Sequence, residues 1–192
     1  MTKYVLHGGF TRIDNELNRG FWAEVARDVP ENGTVLLVFF AAEDNVSERA
    51  SATIESIQAQ TGGKKLNLVV AIEKDFLNQL KQANAVYLHG GSTDKLVEIL
   101  RKYPDLKPLF KNKTIAGSSA GAYMLSTFYP LHHDGWQQEE GRGLGILPLR
   151  VICHYESLEL PPTPESVEAL KNMTPELELV LLKDCEWRVF IK

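Results

Sequence analysis

Cysteine is scarce in this chain. Cys153 and Cys185 are the only two among 192 residues, and they lack the spacing of a metal site. Two thiols do not make the disulfide framework that staples small secreted domains, so a reducing compartment, the cytoplasm, is expected. Long apolar runs are lacking too. No window holds the roughly 18 apolar residues of a membrane span. The opening MTKYVLHGGF has neither the basic start nor the apolar centre of a secretory signal. No block of one charge stands out. Lysine and arginine total 21 against 25 acidic residues, a net charge of −4, so neither nucleic acid nor an anionic membrane is expected as a partner. No Gly-Lys-Ser/Thr triplet occurs, which removes the usual phosphate-cradling loop.

What the chain does hold is core material: 44% of residues are hydrophobic and 24% charged, ordinary for a globular protein. The length suits one α/β domain over residues 1–192. Strand-length apolar runs alternate with helical patterns. Strands are expected at Tyr4–Leu6, Thr34–Phe40, Leu66–Ile72, Ala85–Leu88, Thr114–Ala116 and Leu149–Cys153. Helices are expected through Leu17–Ala26, from Ser47 to Gln60, and at Phe76–Ala83, Asp94–Tyr103 and Ala120–Phe128. A further helix starts at Thr163-Pro164-Glu165. Runs such as TVLLVFF are apolar throughout, as strands covered on both faces should be. The expected architecture is a mostly parallel central sheet between helical layers. Tyr129 to Gly145 is polar and reads as a loop, a candidate flap. Leu177–Leu182 and Trp187–Ile191 read as a closing hairpin that turns near Asp184-Cys185-Glu186.

In open α/β sheets, ligands bind beyond the carboxyl ends of the strands. The Gly90-Gly91 turn, the stretch GSSAGA (residues 117–122) and His154 all fall at such ends. A serine hydroxyl is a weak nucleophile unless a base takes its proton. A sharp strand-to-helix turn lifts its oxygen clear of the sheet, and the crowding requires small neighbours, which is the mechanical content of G-x-S-x-G. Here the frame is Gly117-x-Ser119-x-Gly121, so Ser119 is the candidate nucleophile. The Ala120 N–H, at the start of the following helix, and the Gly91 N–H are candidates for an oxyanion hole. Among five histidines, His154 at the end of an apolar strand is the candidate base. His89 would line the pocket, and His132 and His133 fall in the loop. Asp184, Glu186, Glu156 and Asp134 are open as the acid that orients the histidine.

Three ordered motifs, HGGST (89–93), GSSAGA and GLGILPLRVICHYE (143–156), resemble those of the dipeptidase E and cyanophycinase family of serine peptidases, over Tyr4 to Asp184. The resemblance implies a class I glutamine amidotransferase-like sandwich, with serine where amidotransferases of that superfamily carry cysteine. It implies Ser119 as nucleophile, His154 as base and Asp184 as acid, with Gly90 and Ser92 in a substrate-binding turn and a small peptide as substrate. No metal and no cofactor are implied. Two departures stand out. Cys185 occupies the position of the family's glycine, and segment 155–175 has no arginine to hold an N-terminal aspartate, leaving Arg142 and Arg150 as the nearest cations. Two other readings compete. An α/β-hydrolase esterase would use Asp134, between Ser119 and His154 in the chain, but the 73 residues after Ser119 leave no room for a lid and full sheet. A non-catalytic relative would bind an amino-acid-like ligand or a protein.

Overall fold

The computed structural model describes residues 1–103, 105–131 and 140–192. In chain order its first half runs β1 (Lys3–His7), α1 (Glu16–Ala26), β2 (Thr34–Val38), α2 (Val46–Gln60), β3 (Asn67–Val70), a 3-10 turn at Glu73–Asp75, α3 (Phe76–Gln82), β4 (Ala85–Leu88) and α4 (Thr93–Arg101). The second half runs α5 (Lys107–Phe110), β5 (Thr114–Ser118), α6 (Ala120–Leu125), β6 (Phe128–Pro130), β7 (Glu140–Arg142), β8 (Leu149–Ile152), α7 (Pro164–Asn172), β9 (Glu178–Leu181) and β10 (Trp187–Ile191).

The main sheet has the order β10-β1-β5-β4-β2-β3. All neighbours are parallel except the antiparallel pair β10–β1. Strand β2 shows why such strands are apolar throughout. Val35 and Leu37 pack with Phe21 and Trp22 of α1 and Ile57 of α2, while Leu36 and Val38 pack with Phe76 and Leu80 of α3 and Met124 of α6. Each face of the strand therefore meets its own helical layer, and each buried Val or Leu contributes about 1.5–3 kcal/mol. The α/β class with a mostly parallel central sheet follows as expected. Strand β3 is shorter than its apolar run and only half-buried, because it lies at the sheet edge.

The C-terminal third departs from expectation. Strands β6, β7, β8 and β9 form a second sheet in the order β7-β6-β8-β9, so two pieces of the expected Tyr129–Gly145 loop are strands. The closing hairpin does not form. Strand β9 lies parallel to β8 in the second sheet, while β10 lies antiparallel to β1 in the main one. The physical cause is the destination of the side chains. Leu177 and Leu179 pack under α7 with Leu170, whereas Trp187 and Val189 pack onto the α1 cluster. The chain between them crosses from sheet to sheet and carries Asp184. Helix α6 stops at Leu125, earlier than expected, where the Ser126 hydroxyl donates to the Tyr123 carbonyl (2.8 Å) and approaches that of Phe128 (3.1 Å). Among the described residues, no helix is long and apolar enough to cross a membrane.

Candidate active site

Ser119 is the whole connection between β5 and α6. Its φ of 50° and ψ of −111° lie outside the favoured regions, which costs about 1–3 kcal/mol for a residue with a side chain. Two tight approaches hold it there. A methyl on Gly117 would lie 2.5 Å from the Gly121 carbonyl, and one on Gly121 would lie 2.2 Å from the Leu88 carbonyl oxygen. Neither position admits a Cβ, so the flanking glycines are a packing requirement of the turn. The Ser119 N–H donates to the His7 carbonyl at 3.0 Å, which ties the turn to the end of β1.

His154 follows β8 by two residues and is 5% exposed. Its Nδ1 lies 2.7 Å from Asp184 Oδ1, and its Nε2 lies 3.1 Å from Ser119 Oγ. The carboxylate accepts, so Nδ1 carries the proton and the Nε2 lone pair faces the serine hydroxyl. The ring is wedged in place. A methyl on Gly9 would fall 2.0 Å from His154 Cε1, and the Phe10 ring meets the imidazole edge-on at 5.3 Å. Asp184 is held through its neighbours: the Cys185 N–H donates to the Gly9 carbonyl at 3.0 Å, and the Gly8 N–H donates to the Glu186 carbonyl at 2.8 Å.

Three positioning residues escaped the sequence reading. His7 is fully buried. Its Nδ1 accepts from the Gly9 N–H (3.0 Å) and its Nε2 donates to Asn18 Oδ1 (2.8 Å); burial pushes its pKa down to about 4, so the ring is neutral. Asn18 in turn donates to the carbonyls of Phe10 and Ile13, at 2.8 and 2.7 Å. Tyr123 on α6 donates its hydroxyl to the Cys153 carbonyl and accepts from the Cys153 N–H, locking the residue before His154 to the helix after Ser119. A signal existed for His7, which ends a strand just before Gly8-Gly9. None existed for Asn18, whose partners include His7 at the end of β1 and Phe10 and Ile13 in the loop without a regular pattern that follows, or for Tyr123, whose partner Cys153 is 30 residues away. Burial pushes the Cys153 thiol well above its ordinary range, so this cysteine is no rival nucleophile.

The remaining candidates divide. The Gly90-Gly91 turn lies against Ser119: a methyl on Gly90 would sit 3.3 Å from Ser119 Cβ. His89 Nδ1 donates to the Gly90 carbonyl at 2.7 Å, with burial lowering its pKa, so a neutral imidazole braces the turn. Ser92 caps α4 by accepting from the Lys95 N–H. Arg150 is not at the site. It is 5% exposed, and its guanidinium donates to the carbonyls of Leu170, Lys171, Met173 and Leu177, closing the end of α7. Arg142 lies over the Phe128 ring. Glu186 accepts from the Lys183 N–H and Glu156 pairs with the Lys183 ammonium, so neither meets His154. His132, His133 and Asp134 lie outside the described residues.

Two cavities open on either side of this centre, of about 680 and 830 Å³. Ser119, His154, Gly91, Arg49 and Leu160 line both. The first runs toward Asp94, Tyr129 and the loop carrying Glu159. The second runs between the loop of residues 9–14 and α2, over Tyr87 and His89.

Comparison with known proteins bears on the fold and the family. No curated protein matches the chain in sequence. Among solved structures, a peptidase from an acI-B1 Actinobacterium superposes with a TM-score of 0.73 at 22% identity, covering 99% of this chain and 83% of the other. A putative peptidase E protein from Listeria monocytogenes EGD-e superposes with a TM-score of 0.67 at 15% identity, covering 100% and 98%. Both likenesses concern the fold, which is flavodoxin-like. The family assignment rests on sequence: the model of peptidase family S51 matches residues 20–191. With that match over most of its length, this chain belongs to peptidase family S51 and is a serine-type peptidase.

Proposed function

We propose that the protein hydrolyses short peptides through an acyl-enzyme on Ser119. The observation that carries this reading is the alignment of Ser119 Oγ, His154 Nε2, His154 Nδ1 and Asp184 Oδ1 in two successive contacts of 3.1 and 2.7 Å at the junction of two cavities. His154 takes the hydroxyl proton as Ser119 Oγ bonds to the scissile carbonyl carbon. The carbonyl oxygen becomes an oxyanion, held by the N–H groups of Gly91 and Ala120. Among the described residues neither N–H has another acceptor. One such donor is worth about 3–4 kcal/mol in the transition state. The intermediate collapses with cleavage of the C–N bond, and His154 gives its proton to the departing amine. Water, deprotonated by His154, then releases the acyl group and restores Ser119. Asp184 keeps the imidazole in the required tautomer and stabilises its charged form.

The chain order serine, histidine, aspartate supports this reading over an esterase that would use Asp134. A preference for N-terminal aspartate draws no support from Arg150, whose guanidinium is committed to α7. The test is a panel of Asp-X, β-Asp-X and neutral dipeptides, followed by mass spectrometry of free amino acids. Product with wild type and none with Ser119→Ala is the expected result. Equal product from both would remove Ser119 from the chemistry, and none from wild type would remove short peptides as its substrate; either result would sink the proposal.

A further inference from the structure

We infer that the larger cavity is the subsite for the leaving residue of the peptide and that Arg12 anchors its free C-terminal carboxylate. This inference rests on the peptidase reading above and adds to it which end of the substrate is recognised, and by what.

The side follows from the imidazole. The proton for the departing amine comes from His154 Nε2, and among the described residues Gly9 and Phe10, both packed against that ring, line the larger cavity and not the smaller one. An amine protonated there departs over that wall. The anchor follows from charge accounting inside the cavity. Arg49 is bound to Asp44, both side chain to side chain (3.1 Å) and to its carbonyl (3.2 Å). Asp14 is bound to Arg19 at 2.9 Å. Arg12 is exposed and has no hydrogen bond or ion pair among the described residues. It lines the same cavity as the buried side chains of Tyr87 and His89. An uncommitted guanidinium in a cavity that opens onto Ser119 suits a carboxylate, which it meets with two parallel N–H donors. Glu55 on α2 lines the same cavity and has no ion-pair partner among the described residues, so it opposes the carboxylate and discourages an acidic leaving residue.

The experiment uses alanyl-alanine and leucyl-leucine, each as free acid and as C-terminal amide. Wild type is expected to favour the acid about tenfold or more in kcat/KM. In Arg12→Gln the acid-to-amide ratio falls to about one, Arg12→Lys keeps part of it, and Glu55→Gln raises it about two- to threefold at low salt. A wild-type ratio near one, or a ratio untouched by Arg12→Gln, overturns the inference. Affinities measured on Ser119→Ala need no turnover and separate the two proposals. If that protein binds acids more tightly than amides, and loses the difference with Arg12→Gln, the subsite stands even where wild type cleaves nothing. Equal affinities overturn the subsite even where the peptidase reading holds.

Discussion

Two turns present polar groups to His154, and they are built on opposite plans. The β5–α6 turn is one residue long and gets its tightness from absence: Gly117 and Gly121 let backbone meet backbone, leaving Ser119 the sole side chain at the bend. The turn between β9 and β10 gets its shape from attachment. Its Asp184-Cys185-Glu186 segment has no glycine, places Cys185 at a φ of 65°, and is held by hydrogen bonds to Gly8 and Gly9 at the end of β1. The first turn is legible in its own five residues, although the Leu88 and His7 carbonyls close against it, whereas the second takes its shape from attachment to the rest of the fold. His7 joins the two, since its carbonyl holds Ser119 and its ring holds Gly9.

The difference predicts where substitutions strike hardest. Ser119→Ala removes the proposed nucleophile and leaves the backbone trace intact, so peptide hydrolysis should fall by about 10⁶-fold with the melting curve little changed. Asp184→Asn should cost about 10⁴-fold, because the amide offers the wrong partner to Nδ1, while Glu186→Gln should stay within a few-fold. Comparable losses from both acidic substitutions would mean that the second turn does not hold the register described here. Steady-state rates on one cleaved dipeptide decide all three.

His7 offers a way to loosen both turns together. Its folded pKa of about 4 lies below the ordinary 6.5, so the unfolded chain binds the proton first as pH falls. The stabilisation is complete above pH 6.5 and is lost between about 6.5 and 4, by about 3 kcal/mol in all. Urea midpoints at pH 7 and pH 4.5 should show that slope, and His7→Gln should flatten it. An unchanged slope in the variant would assign the acid sensitivity to other groups.

The two plans also explain what was legible in the residues. The GSSAGA turn declares itself, because small residues around a serine are needed wherever such a turn occurs. The double-faced strands declare themselves as well: residues 35–38 are apolar at both parities, and both parities are buried. The second sheet did not, since β9 and β10 are both short apolar runs and nothing local says that Leu179 faces α7 while Val189 faces α1. Arg150 read as a possible substrate cation for the same reason. Its four carbonyl partners lie 20 to 27 residues away, at the end of α7 and in the approach to β9. Asp184 and Glu186 were inseparable in sequence because their separation depends on attachment to Gly8 and Gly9.

Cys185 gives the finest contrast. At Ser119 the unfavourable backbone falls on a residue that the proposed chemistry requires. At Cys185 it falls on a thiol whose Sγ has only long contacts, 3.7 Å to Asn18 Nδ2 and 3.9 Å to the Phe10 carbonyl. Cys185→Gly relieves a left-handed penalty of about 1–2 kcal/mol. It also removes a small buried side chain and frees the unfolded chain, together about the same amount with opposite sign. Stability should therefore move by less than about 1 kcal/mol, and activity by less than a few-fold. Cys185→Val keeps the φ of 65° but adds branching at Cβ, which that region disfavours, and should destabilise by about 2 kcal/mol or more while pulling Asp184 away from His154. Urea unfolding of the two variants, with rates alongside, tests whether attachment alone shapes this turn. A glycine variant as damaged as the valine one would show instead that the thiol itself is part of what holds Asp184.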